Sequence, residues 1–238
     1  MYQGKRVAVV FPAYNEERGI RAAIDDFFAA GGGGLVDDVI AVDNNSRDRT
    51  AQLIQASPAT YVREPRQGYG YALRKGLHEA EGEYIVLAEP DGTFVGRDVL
   101  KLLAYAEDFD LVLGTRTTRE LIWRGANMGL PLRWGNWLLA KLLQVLFNGP
   151  SLSDCGCTLR LVRREAAARL LPRFTVGGSH FLPEMVCLAL LQRLRLIEVP
   201  VNYRRRVGRS KITGSTSTAV RVGARMLFLI LRYRLVGA

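Results

Sequence analysis

The sequence predicts an α/β fold built on a doubly wound, mainly parallel sheet flanked by helices. Two observations predict it. Short apolar runs alternate with amphipathic helical stretches through the first half of the chain. Three of those runs end in polar, acid-bearing tips, at residues 12–16, 43–45 and 89–91. In such sheets ligands bind beyond the carboxyl ends of the strands, so three such tips on one edge form the pattern of a nucleotide site. The chain has 238 residues, 48% of them hydrophobic, which is enough to bury one large core or two small ones.

Each element can be justified in order. Residues 6–11 are an apolar run of the kind that forms a buried parallel strand. It breaks at Pro12-Ala13-Tyr14-Asn15-Glu16-Glu17, and a helix follows to about residue 30 with Ile20, Ala23, Ile24 and Phe27 at helical spacing. Four glycines, 31–34, end it. Residues 38–42 are a second strand, leading into Asp43-Asn44-Asn45-Ser46; Ser46 or Asp48 can cap the helix 50–55. Residues 60–63 are a third strand, and Gly68-Tyr69-Gly70 opens a helix to about residue 80. This glycine pair does not directly follow the first strand, so a plain NAD-binding fingerprint is a poor reading. The fourth strand, 83–88, ends in Glu89-Pro90-Asp91-Gly92-Thr93; a helix 98–107 and a strand 111–114 complete the series.

Beyond Gly114 the character changes. Arg116, Arg119, Arg124 and Arg133 punctuate a loop region that holds Trp123 and Trp134. Residues 137–147 are strongly apolar, with only Lys141 and Gln144 polar; they read either as core or as an acceptor-side helix facing a membrane. Asp154-Cys155-Gly156-Cys157-Thr158 leads into a strand at 159–162, then helices at 164–171 and 182–194 and a strand at 196–201. A basic cluster follows, Arg204, Arg205, Arg206, Arg209 and Lys211. A Gly/Ser/Thr hinge, 213–218, separates a last helix, 219–236. On a wheel that helix gathers Arg221, Arg225 and Arg232 within about 40° and sets Val222, Met226, Leu227, Ile230 and Leu231 opposite. It reads as an interfacial helix or as one packed on its own domain.

Net charge is +10, and from residue 193 to the end there are eleven Lys or Arg and one acid, Glu198. Such a region implies an anionic partner: phosphates, nucleic acid or an acidic membrane surface. No recognition helix, RNP-like motif or zinc motif supports nucleic acid. Cys155 and Cys157 form a lone C-x-C and Cys187 stands apart, so no zinc spacing is present and the thiols read as reduced, as in the cytoplasm. No uncharged apolar run reaches the roughly 18–20 residues needed to span a bilayer. The chain opens directly on a strand, without a signal-peptide pattern. Glu89 and Asp91, one residue apart at a strand tip, can set two anionic oxygens beside one hard cation such as Mg²⁺ or Mn²⁺; Pro90-Asp91-Gly92 is equally a good turn.

Together these segments resemble a known family. Phe11-Pro12-Ala13-Tyr14-Asn15-Glu16-Glu17 is similar to the opening motif of family 2 glycosyltransferases of the GT-A fold. Val42 to Thr50, with Asp43-Asn44-Asn45, is similar to their second motif. Glu89-Pro90-Asp91 stands where the family keeps its D-x-D metal motif, and Gly114-Thr115-Arg116 resembles its G-[ST]-R. Asp154 to Arg164 resembles the acceptor-side D-x-x-x-G-[FY]-R segment. Glu198-Val199-Pro200-Val201, with Arg206, Gly208, Arg209, Ser210 and Lys211, resembles the E-V-P-[IV] … R-x-G-x-S-K end of the polyprenyl/dolichyl-phosphate glycosyltransferases. Three positions depart: Glu89 replaces Asp, Thr93 stands where Gln is frequent, and Cys157 replaces Gly.

The resemblance implies an inverting transfer of a sugar from a UDP- or GDP-sugar to a polyprenyl phosphate, dependent on Mg²⁺ or Mn²⁺, at the cytoplasmic face of a membrane. A saccharide or other hydroxyl acceptor is the alternative, and a catalytically silent membrane-associated relative a further one. It implies a GT-A domain over 1–212, with a nucleotide-sugar half, 1–115, and an acceptor half, 116–212; 213–238 would be hinge and interfacial helix. In this reading Asp91 holds the metal, and Glu89 helps to hold it or contacts the ribose. Asp43 meets the base, Asn45 belongs to the same nucleotide-binding tip, and Tyr14 lies against base or ribose. Glu16 bonds a ribose hydroxyl or serves as an N-terminal helix acid, and Pro12 and Pro90 order their turns. Arg206, Arg209 and Lys211 close over the phosphates or form a solvated basic face. Arg116 and Arg133 grip an acceptor phosphate. Asp154 holds the catalytic position, as a base for a hydroxyl acceptor or as an orienting charge for a phosphate; otherwise it is a turn residue. His78 and His180 read as structural or surface residues.

Overall fold

The computed structural model describes residues 1–126, 128–208 and 216–237. In chain order the main elements are β1 (Val7–Ala13), α1 (Ile20–Phe28), β2 (Asp38–Asp43), α2 (Thr50–Gln55), β3 (Thr60–Arg63), α3 (Tyr69–Glu79), β4 (Tyr84–Leu87), α4 (Val99–Leu103), β5 (Leu111–Thr115), α5 (Leu130–Leu146), β6 (Arg160–Arg163), α6 (Arg164–Leu170), α7 (Phe181–Leu191), β7 (Leu196–Pro200) and α8 (Thr216–Val236). The strands make one seven-stranded sheet in the order β3-β2-β1-β4-β6-β5-β7.

The apolar runs form this sheet because helices cover both of its faces. Along β1, Val9 faces one layer with Phe11, Ile24 and Phe27, while Val10 faces the other with Leu73 and Leu77. The period-2 alternation of a strand sends neighbouring residues to opposite faces. Phe11 and Phe27 meet edge to face at 5.0 Å, and burying a side chain of this size contributes about 1.5–3 kcal/mol.

Six strands conform to the parallel expectation: β1 pairs in parallel with β2 and β4, β2 with β3, and β5 with β7. β6 does not. It runs antiparallel to β4 and β5, a reversal that a four-residue apolar run cannot announce. The reversal matters for the site. Leu87 stands opposite Arg160, so the residues before Arg160 lie beyond the carboxyl end of β4, beside Glu89.

Other differences have local causes. The helix expected over 98–107 contracts to a 3-10 turn, Gly96–Asp98, followed by α4. Asp98 is fully buried and accepts from the Asn202 main-chain N at 2.5 Å and side-chain amide at 2.9 Å. The N-cap of α2 is Arg49; of the two expected caps, Asp48, just before it, reaches the first turn, accepting from Thr50 N at 3.0 Å. The apolar stretch expected at 137–147 extends back to Leu130, with Pro131 in the first turn where its missing N–H costs nothing. Only Ala140 and Leu143 of this helix are buried. Trp134 is 63% exposed and Leu138 64%.

α8 packs on α7 and α5. It buries Val222, Leu229, Ile230 and Tyr233, a helical stripe turned from the expected one: Leu227 and Leu231 remain exposed. The Tyr233 hydroxyl donates to Glu184 of α7 at 2.8 Å, so the inner face belongs to the domain. Among the described residues no helix is long and apolar enough to cross a membrane.

Candidate active site

The carboxyl edge is stitched before any ligand is considered. The β1–β2 register sets Ala13 opposite Asp43. Asn15 adopts a left-handed φ of 53°, which Asn tolerates better than most residues. Its Oδ1 accepts from Arg47 N at 2.8 Å, and its own N–H donates to Ser46 Oγ at 3.1 Å. Glu16 N donates to Thr50 Oγ1 at 2.8 Å. Asp43 is buried and accepts from Ser46 N at 3.2 Å. The Asn44 amide donates to Glu64 O and Arg66 O at 3.0 and 2.7 Å, and the exposed Asn45 donates to Pro65 O at 2.9 Å. Pro12 and Tyr14 are half-buried at the same edge. A cleft of about 230 Å³ opens here, lined by Asn15, Glu16, Asp48, Val207 and Gly208 among others.

Beyond β4 the chain presents Glu89 and Asp91. One oxygen of Asp91 is tied down: Oδ1 accepts from Thr93 N at 2.9 Å and from Thr93 Oγ1 at 2.5 Å. The other, Oδ2, is buried without a directed hydrogen bond, although Arg206 Nη1 stands 2.8 Å away as an ion-pair partner. Glu89 Oε1 accepts from Thr158 Oγ1 at 2.8 Å and from the Tyr69 hydroxyl at 3.3 Å. Its Oε2 lies 3.8 Å from the same Arg206 nitrogen. Burial, then the neighbouring Asp91 carboxylate, push the Glu89 carboxyl up to about 7. Arg206 Nη2 donates to Glu16 Oε1 at 2.5 Å. The segment carrying Arg206 is laid against the tip by Arg204 N to Thr93 O and Val207 N to Asp91 O, both 2.8 Å. Pro90 is buried between the acids, and Gly92, at φ 76°, makes the turn with Val207 closing on it.

This donor set fits a hard divalent cation. A buried carboxylate oxygen lacking a hydrogen bond stands beside a second carboxylate, and both already face a positive charge. Among the described residues no cluster of three His, Cys, Asp or Glu is placed to hold a metal by itself. A cation here would therefore be held by Asp91 and Glu89, with substrate phosphate and water oxygens completing its shell.

On the other side of Glu89 lies a second charged unit. Arg116 grips Asp154 with two parallel bonds, Nε to Oδ2 at 2.8 Å and Nη2 to Oδ1 at 2.9 Å. Asp154 accepts further from Arg116 N and Gly156 N, each at 3.1 Å, and its side chain is fully buried. A carboxylate so saturated anchors Arg116; as placed, it is not poised to take a proton from an acceptor. Glu198 of β7 fixes the loop from below, accepting from Ser153 N and Asp154 N at 2.8 and 2.9 Å. Asn136 of α5 sits so close to Gly156 that a Cβ there would meet its Oδ1 at 2.5 Å. Arg133 donates to Thr117 O at 2.9 Å, which places it beside the residue that follows Arg116. Arg204 stacks over Trp123 at 4.8 Å, and Arg116 over Tyr203 at 5.2 Å.

The structure thus brings together Glu16, Glu89, Asp91 and Arg206, and separately Arg116, Arg133 and Asp154. Lys211, with Arg209 and Ser210, lies outside the described residues, as does the first half of the expected hinge, 213–215; its second half, 216–218, is instead the first turn of α8. Four supporting residues escaped the sequence reading. Tyr69 and Thr158 orient Glu89, Glu198 holds the Asp154 loop, and the buried Arg160 donates to Cys157 O and Leu182 O beneath it. Each stood in a marked stretch without being given a role: Tyr69 between the glycines that open α3, Thr158 and Arg160 in the segment 154–164, and Glu198 at the head of Glu198-Val199-Pro200-Val201.

A mixed, mostly parallel α/β sheet with acid-bearing tips along its carboxyl edge is the architecture of the GT-A glycosyltransferases. The chain belongs to glycosyl transferase family 2, whose profile matches residues 8–171, and it is a transferase enzyme. An uncharacterized glycosyltransferase of Mycobacterium tuberculosis is 33% identical over 89% of this chain and 92% of its own length. The mouse dolichyl-phosphate beta-glucosyltransferase is 29% identical over 98% of this chain and 77% of its own. A low-salt glycan biosynthesis hexosyltransferase of Haloferax volcanii is 30% identical over 87% of this chain, which spans about half, 49%, of that relative's length. Among solved structures, glucosyl-3-phosphoglycerate synthase from Mycobacterium tuberculosis, in complex with Mn²⁺, UDP and glucosyl-3-phosphoglycerate, superposes with a TM-score of 0.72. That match covers 97% of this chain and 80% of the other at 22% identity, a likeness of fold.

Proposed function

We propose that the protein transfers a sugar from a UDP- or GDP-sugar to a polyprenyl phosphate, with inversion at the anomeric carbon. The observation that carries the reading is the Glu89–Asp91 tip with its buried, hydrogen-bond-free Asp91 oxygen, standing beside a second basic unit at Arg116 and Arg133. Dolichyl-phosphate relatives support the acceptor.

A phosphate oxygen of the acceptor attacks the sugar C1, the bond from C1 to the diphosphate oxygen breaks, and a nucleoside diphosphate leaves. A Mg²⁺ or Mn²⁺ held by Asp91 and Glu89 would supply Lewis-acid neutralisation of the leaving diphosphate. Asp43 and Asn45 are set to meet the base, and Tyr14 and Glu16 the ribose. An acceptor phosphate is already ionised and needs no general base. The buried Asp154 therefore serves by fixing Arg116, which with Arg133 holds the acceptor phosphate; Arg binds such groups bidentately. A lipid acceptor places the reaction at a membrane surface, here proposed as its cytoplasmic face. The outer sides of α5 and α8 support this: Trp134, Leu138, Phe228 and Leu235 are exposed, and the two helices carry six Arg or Lys and no acid.

The test is incubation with radiolabelled UDP- and GDP-sugars, Mn²⁺ and polyprenyl phosphate. Label entering the organic phase is expected. Label found only in a water-soluble product would move the acceptor to a saccharide or other hydroxyl compound.

A further inference from the structure

We infer that Arg206 is an internal competitor for the cation position, so that the site accepts a divalent cation together with a diphosphate and resists the bare ion. The inference rests on the reading of Asp91 and Glu89 as cation ligands and adds the residue that decides which ligand they take.

The geometry is that of two cations wanting one place. Arg206 Nη1 stands 2.8 Å from Asp91 Oδ2 and 3.8 Å from Glu89 Oε2, and Nη2 reaches Glu16 Oε1 at 2.5 Å. A metal bound by Asp91 and Glu89 needs those same oxygens at about 2.0–2.6 Å. It cannot sit there with a guanidinium between the carboxylates, by volume or by charge. In the free protein Arg206 also offsets the mutual repulsion of the three acids, all with limited exposure.

Evicting the guanidinium is costly unless something receives it. Its side chain is only 21% exposed and its Nε is buried without a hydrogen-bond partner, so water does not take over readily. The main chain on both sides is pinned, Arg204 N to Thr93 O and Val207 N to Asp91 O, which confines the move to side-chain rotation. A diphosphate arriving with the cation provides the missing acceptor, because phosphate oxygens match the guanidinium fork. Arg206 then passes from the protein's carboxylates to the donor's phosphates as the cation takes its place. Metal and nucleotide bind with positive coupling, and neither carboxylate is left unpaired at any stage.

The experiment is a Mn²⁺ titration of the full chain, followed by the loss of the free-ion EPR signal, with Mn²⁺ alone, with UDP and with GDP. Wild type is expected to bind Mn²⁺ alone weakly and much more tightly with the matching diphosphate. Arg206→Ala is expected to bind Mn²⁺ alone about tenfold or more tighter than wild type, since one unit positive charge has left the carboxylates, and to lose most of the coupling. A melting curve gives a second readout without turnover: in chelator Arg206→Ala melts below wild type, and Mn²⁺ alone raises its Tm more than that of wild type. Arg206→Gln, similar in length but uncharged, covers the case in which the alanine variant does not fold. Equal affinity for Mn²⁺ alone in wild type and both variants would overturn the competition and leave the cation site standing. No Mn²⁺ binding to any variant, with or without either diphosphate, would overturn the cation site and this inference with it. Asp91→Asn serves as the control that removes the site.

Discussion

At the scale of single residues the site separates groups that meet a ligand from groups that hold them. In the proposed function Asp91 belongs to the first kind. Asp91→Asn keeps the bonds to Thr93 in shape but removes the charge, and metal-dependent turnover should fall about 100-fold or more while the far-ultraviolet dichroism is unchanged. Near-normal turnover in that variant would remove Asp91 from the metal. Glu89→Asp restores the residue usual in the family and should retain substantial activity, measured in the same assay. Glu198 is of the second kind. Glu198→Gln leaves the Ser153 and Asp154 amides with half their acceptor, and the expected result is a raised KM for the acceptor with donor affinity unchanged; a loss confined to donor binding would contradict it. The thiols make a further prediction. Burial pushes Cys155 and Cys157 up to about 12, so at pH 8 about one in ten thousand is thiolate. Native protein should resist iodoacetamide and react at three cysteines once denatured, by intact mass.

At the scale of elements α8 has two faces, an inner one packed on α5 and α7 and an outer one proposed to meet a membrane. The inner face is clamped by Tyr233 on the fully buried Glu184, which also accepts from Thr175 N and Val176 N. Tyr233→Phe removes one donor from a buried carboxylate, a loss of about 1–3 kcal/mol and a Tm lower by several degrees for a chain of this size; an unchanged Tm would separate α8 from domain stability. Because Leu229 and Ile230 are buried beneath it, removing the whole helix would damage the core and say little about a membrane. The outer face is tested directly. Phe228→Ser with Leu235→Ser alters side chains that are 70% and 83% exposed, so Tm should hold. Flotation with anionic vesicles should weaken, and salt should release the wild-type chain, since each basic residue near such a surface contributes about 1 kcal/mol. Undiminished flotation would take this face off the membrane. The wheel drawn from sequence had the amphipathic helix, but the buried stripe overlaps its apolar face only in part, at Val222 and Ile230, because a regular wheel cannot know which neighbours, α5 and α7, the helix will meet.

At the scale of the whole molecule, the sequence by itself determined the alternating strands and helices, the acid-bearing edge and the family. Each of those is written locally: apolar runs of strand length, amphipathic spacing, and short motifs whose residues are adjacent in the chain. Pro12 to Glu16, Asp43 to Asn45 and Glu89 to Asp91 could be picked out because a strand end concentrates its ligand-facing groups within a few residues. Only the tertiary structure decided what those groups do to one another. It placed β6 against the direction of its neighbours, which carries Thr158 to Glu89 and Asp154 to Arg116. It brought Arg206 across 190 residues of chain to Glu16 and set its guanidinium among three acids. It also buried Asp154 and tied both of its oxygens to Arg116 and the Gly156 amide. The physical reason is that charge and hydrogen-bond pairing depend on distance in space, and a pairing between remote segments leaves no period or spacing in the sequence that would announce it.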